Sequence, residues 1–285
     1  MPERYAFIPK HILIEEEQKR EATLKNIARK ILPPPARAVI RSVLFNRQRP
    51  LLGTYQEVEV AGIKVEFIIK NKQDVWRLHA GFEAKFSQAV MRRIQEYPKD
   101  SVFYNVGAAQ GFYTTLAAAA GARVWAFEPD PENYESMRAN LTHNHLLDRV
   151  STQAVALGRK NGTVTLYTEG VQGAAPSLAN VSGKRGAIEV PIMRLDDVVA
   201  SNGHSLNGLF VDVEGAELDI LEGASGLLQS PARPQDIFIE IHPRFLESSF
   251  GTTAENVWNL IQGYNYTPQF AMVRGGEIHA HFSAD

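Results

Sequence analysis

The 285-residue chain contains no cysteine, which excludes disulfides, thiolate-bound zinc, iron–sulfur clusters and a cysteine nucleophile. Long hydrophobic runs are also lacking. The longest small and apolar stretch, Leu116 to Ala122, falls well short of the roughly 18 to 20 residues a membrane-spanning helix needs. The first twenty residues are broken by Glu3, Arg4, Lys10 and the run Glu15, Glu16, Glu17, so no signal-peptide core is read there and a cytoplasmic location is expected. Nor is there a large overall charge: the net value is -2. That small number hides 11 Lys/Arg against 5 Asp/Glu in residues 1–50, a local +6 that leaves -8 for the rest. The basic arm reads first as a solvated helix face and second as a weak contact for an anionic membrane surface. With an acidic body and no recognition motif, nucleic acid is not expected as a partner.

What is present points to a soluble globular protein: 44% of residues are hydrophobic and 22% charged, enough for a real core. The length allows one large domain or a domain with an appendage. Residues 12–32 read as an amphipathic helix, stopped by Pro33, Pro34 and Pro35. Tyr55 to Ile69 alternates like two strands joined at Ala61 and Gly62, and Glu83 to Tyr97 reads as a helix. Residues 1–98 are therefore expected to form an N-terminal α+β extension.

From residue 99 to 285 the rhythm changes. Short apolar runs (102–106, 123–127, 150–157, 209–213, 237–241) alternate with helical stretches, which predicts an α/β domain with a mostly parallel sheet and helices on both faces. Phe270–Val273 and Glu277–Phe282 suggest an antiparallel C-terminal hairpin on one edge. Residues 169–187, rich in Gly, Ala and Ser, read as a long loop.

The most informative segment is Val102 to Thr115, where a strand enters a turn at Gly107, Ala109 and Gly111 and a helix begins at once. Small residues let the backbone pass close to a ligand, and the helix N-terminus offers free N–H groups. About 21 residues after Gly107, Glu128 ends the next strand in Phe127-Glu128-Pro129, where a carboxylate can accept both hydroxyls of a ribose. A dinucleotide fingerprint would place Phe112 at its third glycine and fits poorly, so an oxidoreductase is disfavoured. The S-adenosylmethionine version maps better, as Asn105, Gly107, Ala109 and Gly111.

These segments, with Arg138-Ala-Asn-Leu, Ala156-Leu-Gly, Val211-Asp-Val-Glu-Gly-Ala-Glu and Ile239-Glu-Ile-His, resemble FkbM-type methyltransferases in kind and order over roughly residues 82–270. The resemblance implies a class I, Rossmann-like, seven-stranded fold, S-adenosylmethionine as cofactor, and O-methylation of a hydroxyl on a sugar, glycolipid or polyketide-like molecule. This chain has Asn105 and Ala109 where the family has Asp and Asn. The cofactor is expected to meet Asn105, Gly107, Ala108, Ala109, Gly111, Phe112, Glu128, Pro129, Ala156 and Asp212. The alternative left open is a methyltransferase-like protein that binds a ligand or partner without catalysis.

Asp212 and Glu214 end one strand, and Glu240 and His242 end another. Side-chain alternation puts each pair on one face, at the strand ends where open α/β sheets bind ligands. An alcohol acceptor needs its proton removed, which makes Asp212, Glu214 and His242 the catalytic candidates, with Asp212 or His242 as general base. Alternatively, Asp212, Glu240 and His242 hold Mg²⁺ or another divalent ion. Glu217 reads as a first-turn helix carboxylate and Asn140 as support for its helix, while His143 and His145 read as surface residues. Trp76, Arg77 and His79 are weaker candidates for the acceptor pocket.

Overall fold

The computed structural model describes residues 5–14, 52–70, 84–168, 176–178, 186–203 and 205–285. Strand β1 (Leu13–Ile14) precedes the hairpin β2 (Tyr55–Val60) and β3 (Ile63–Ile68), followed by helix α1 (Ala84–Glu96). Next come β4 (Val102–Val106), α2 (Phe112–Ala119), β5 (Arg123–Phe127), α3 (Pro131–His143) and β6 (Val150–Gln153). A small unit of β7 (Ala156–Leu157), β8 (Gly162–Thr168) and β9 (Gly186–Met193) interrupts the alternation. The chain then forms α4 (Leu195–Asn202), β10 (Gly208–Asp212), α5 (Glu217–Gly223), α6 (Ser225–Leu228) and β11 (Asp236–Ile241). After a run of helical turns come α7 (Ala254–Gly263), β12 (Tyr266–Arg274) and β13 (Glu277–Ala284).

The main sheet has the order β1-β12-β13-β11-β10-β4-β5-β6. Strands β11, β10, β4, β5 and β6 run parallel, and β13 is antiparallel to both β11 and β12. Burial explains why the central strands are apolar throughout: all six residues of β11 are buried, as are four of five in β4, because helices cover both faces. The expected seven strands are present. An eighth, β1, adds itself to β12 through Leu13 and Ile14, so the C-terminal hairpin does not form the sheet edge. The helix expected over residues 12–32 is corrected at its start, where Leu13 and Ile14 are a strand; residues 15–51 lie outside the described residues.

Two further expectations change. The strand expected over 150–157 divides, because Ala156 and Leu157 leave the main sheet and pair with Ile192 and Met193 of β9. The loop expected over 169–187 is bordered by the antiparallel pair β8 and β9, which reaches Thr168 and Gly186. Leu166 and Val190 bury themselves there against Ala156. The helical stretch after β10 breaks at Ala224 into α5 and α6.

The hairpin and α1 share a core with the sheet. Phe67, Phe86 and Val90 pack in one cluster with Leu116, Phe210 and Phe238. The outer edge of β3 is also tied down: Ile68 N–H donates to Asn140 Oδ1 at 3.1 Å, and Glu66 N–H to Asn144 Oδ1 at 2.9 Å. Asn140 in turn donates to the Gln110 carbonyl at 2.9 Å, so the extension is hydrogen-bonded through α3 to the glycine loop. His143 stacks on Tyr55 with ring centroids 3.5 Å apart.

Candidate functional site

After β6 the chain returns to lay β10 beside β4, on the side away from β5. A crevice opens at the strand ends where the order reverses this way. The β4–α2 turn occupies it, with Gly107 (φ 79°), Ala109 (φ 49°) and Gly111 (φ 86°) all left-handed. A Cβ on Gly107 would collide with the backbone carbonyl of Asp212, so glycine alone lets the turn close on the end of β10. The N–H groups of Gly107 and Ala108 both donate to the Phe127 carbonyl at 3.0 Å, which fastens the turn to β5. No side chain caps the N-terminus of α2.

Ala109 carries a backbone penalty that an asparagine would not, because Asn tolerates the left-handed region. An Ala109→Asn variant is expected to gain about 0.5–1 kcal/mol, read as a rise of about 1–3 °C in the midpoint of thermal unfolding. A lower midpoint would contradict this reading of the turn.

Glu128 lies at the next strand end and is 5% exposed. Its Oε2 accepts the Ala109 N–H at 2.6 Å and its Oε1 the Asp130 N–H at 2.9 Å. Burial pushes the carboxyl up; the two N–H donors pull it back, leaving it at about 7. Each oxygen keeps a lone pair for a ligand hydroxyl. In the unliganded protein, this carboxyl contributes stability that is full below its unfolded value near 4.5 and lost as pH rises through 7. Binding of a hydroxyl-bearing ligand to the ionised form follows the opposite trend. Calorimetric affinity for such a ligand is expected to be about tenfold tighter at pH 8 than at pH 6, and flat in Glu128→Gln.

A solvent-open cleft lies beyond Glu128, a concave surface of the kind that small-molecule sites use. Phe127, Val155, Ala156, Leu157 and Leu166 give it an apolar wall. Ser177 also lines the cleft: its backbone pairs with Tyr167, and its hydroxyl donates to the Glu214 carbonyl at 3.1 Å.

A histidine surrounded by carboxylates sits beside the cleft. Asp212 and Glu240 are register partners on β10 and β11. Glu214 follows β10 in the left-handed conformation (φ 52°), a strained geometry typical of functional loops. His242 is 3% exposed, and its Nδ1 lies 2.6 Å from Oε1 of the fully buried Glu217. Glu217 Oε1 also accepts the Gly215 N–H at 3.0 Å. The other ring nitrogen, Nε2, faces Glu240 Oε1 at 3.6 Å, Asp212 Oδ1 at 3.7 Å and Glu214 Oε2 at 3.8 Å. Burial alone would lower the His242 pKa, but Glu217, Asp212 and Glu214 raise it to about 10. The imidazole is therefore protonated at neutral pH and makes no helix-capping hydrogen bond.

The structure thus gathers Gly107, Ala109, Glu128, Pro129, Ala156, Asp212 and Glu214 around one cleft, with His242 and Glu240 directly behind Asp212. Asn105 is placed elsewhere. Its side chain is buried and donates to Thr114 Oγ1 at 2.8 Å, beneath α2. Ala108, Gly111 and Phe112 are also not among the residues lining the cleft; Phe112 packs on Phe67 of the hairpin. Glu217 goes beyond its expected helix-end role, because it fixes the His242 ring. Val155 and Ser177 carried no motif. Trp76, Arg77 and His79 lie outside the described residues.

Residues 105–268 match the Methyltransferase FkbM domain family. The chain is 29% identical over 189 residues to a hexuronic acid methyltransferase, AglP, of Haloferax volcanii, covering 65% of this chain and 73% of that protein. It is 26% identical over 251 residues to the 31-O-demethyl-FK506 methyltransferase FkbM of Streptomyces tacrolimicus, covering 74% and 93%. Among solved structures, an S-adenosylmethionine-dependent methyltransferase of Agrobacterium tumefaciens superposes with a TM-score of 0.46 at 9% identity, over 82% of this chain and 72% of that one. No helix among the described residues is long and apolar enough to cross a membrane.

Proposed function

The chain belongs to the FkbM methyltransferase family, and from that premise we propose that it methylates a hydroxyl oxygen of a sugar, glycolipid or polyketide-like small molecule. The observation that carries the reading is the junction of two half-sites across Gly107: a cleft holding the Glu128 carboxylate, and the Asp212–Glu214 strand end that touches it. The names of the two relatives, one giving hexuronic acid and the other a demethylated oxygen of FK506, support an oxygen acceptor on either scaffold.

The cleft fits S-adenosylmethionine in its donors and walls. Glu128 is suited to the ribose hydroxyls, the wall at Val155, Ala156 and Leu157 to the adenine, and the turn at Gly107 and Ala109 to the amino-acid end. When bound, S-adenosylmethionine supplies a methyl group on a sulfonium, so that methylation of a hydroxyl leaves a neutral thioether and releases one proton. The chain must then align the acceptor, exclude water and take that proton. Protonated His242 is a poor base. Asp212 and Glu214, with side chains 33% and 26% exposed, are the carboxylates open to the cleft. We assign Glu214 the acceptor's proton, and Asp212 the placement of its oxygen, with His242 and Glu217 fixing Asp212 from behind.

The test is transfer from methyl-labelled S-adenosylmethionine to a panel of uronic acids, glycolipids and macrolide alcohols, with amines as controls. Label on a hydroxyl oxygen is the expected result. Label on nitrogen alone, or no transfer to any hydroxyl by protein that binds the donor, contradicts it.

A further inference from the structure

We propose that Asp212, Glu240 and His242 form a binding site for one divalent transition-metal cation at the back of the cleft; its role in activating the acceptor hydroxyl rests on the methyltransferase reading above. Oxygen atoms of Asp212 and Glu240 and a ring nitrogen of His242 all lie within 4.8 Å of one another. His242 Nε2 is 3.6 Å from Glu240 and 3.7 Å from Asp212. Charge-assisted hydrogen bonds would be about 2.7–2.9 Å long, so both gaps are too wide for them. A cation with bonds of about 2.1 Å holds neighbouring ligand atoms about 3.0–3.4 Å apart, so the two gaps at His242 need to contract by only a few tenths of an ångström.

The surroundings are those of a metal centre. The 2.6 Å contact between His242 Nδ1 and buried Glu217 fixes the ring and leaves Nε2 facing the other carboxylates, the usual outer arrangement of a metal-bound histidine. A second, independent observation lies behind Glu240. His279 is completely buried, neither of its ring nitrogens makes a hydrogen bond, and its Nδ1 points at Glu240 Oε2 from 3.4 Å. A buried ring facing the second oxygen of Glu240 holds that carboxylate from outside the site, as the buried Glu217 holds His242. Glu240 and His242 are closed in, while Asp212 is one-third exposed toward the cleft. A cation held from the rear thus keeps an open position at the front, as catalytic rather than structural sites do. One imidazole with carboxylates suits Mn²⁺ or its first-row neighbours. There it displaces the proton that His242 otherwise carries on Nε2, releasing it to solvent, and lowers the pKa of an acceptor hydroxyl, whose proton passes to Glu214.

The test uses the full chain, stripped with chelator and titrated with Mn²⁺ alone while the free-ion resonance signal is followed, with thermal unfolding confirming that each variant is folded. One Mn²⁺ per chain is expected. Binding should weaken at least tenfold in Asp212→Asn, which alters the most exposed ligand, and in Glu240→Gln, and 10- to 100-fold in Glu217→Gln, which only orients His242. No binding by the wild type, or equal binding by all variants, overturns the site. A parallel titration with S-adenosylmethionine separates the two claims. Cofactor binding without Mn²⁺ binding overturns the metal site alone; Mn²⁺ binding without cofactor binding supports the site and overturns the methyltransferase reading.

Discussion

Replacing Gly107 by alanine is expected to abolish cofactor binding and destabilise the fold by several kcal/mol. The left-handed backbone (φ 79°) alone costs a side chain about 1–2 kcal/mol. The larger effect is steric, because the new Cβ would meet the Asp212 carbonyl and wedge the β4 turn away from β10. Gly62 offers an internal control. It has almost the same φ, 80°, but nothing within 4 Å of where a Cβ would be. Gly62→Ala is therefore expected to show the backbone penalty alone and to retain cofactor affinity. Thermal unfolding and calorimetry on both variants check this, and equal losses would show that the Gly107 contact with β10 is unimportant.

Glu214→Gln is expected to lower kcat by about 10²- to 10⁴-fold, the usual range for loss of a proton-accepting group. The side chain is partly exposed and the replacement isosteric, so folding and cofactor affinity should change little. Full turnover in the variant would remove Glu214 from the proposed chemistry.

Local features of this molecule were legible in the sequence, and long-range ones were not. The turn at Gly107 and Gly111 and the carboxylate at Glu128 follow from a strand, small residues and a helix start within about 25 positions. Strand alternation also put Asp212 with Glu214, and Glu240 with His242, at adjacent strand ends. For Asn105, position in a glycine motif does not fix which way a strand residue points. Its side chain turns under α2 to Thr114, and the pleat decides that. Glu217 was underread for a different reason: the contact that defines it is with a residue 25 positions later. The β8–β9 pair was hidden by the Gly-, Ala- and Ser-rich composition of the segment between the two strands. Both ends of that segment bury alternate apolar residues that only strand pairing reveals.

The cleft between Gly107 and Glu128 is expected to receive S-adenosylmethionine. Calorimetric titration of the purified chain with S-adenosylmethionine, S-adenosylhomocysteine and NAD tests it directly. One molecule of either methyl-cycle ligand per chain, with no binding of NAD, is the predicted result. Folded protein that binds neither S-adenosylmethionine nor S-adenosylhomocysteine would contradict it.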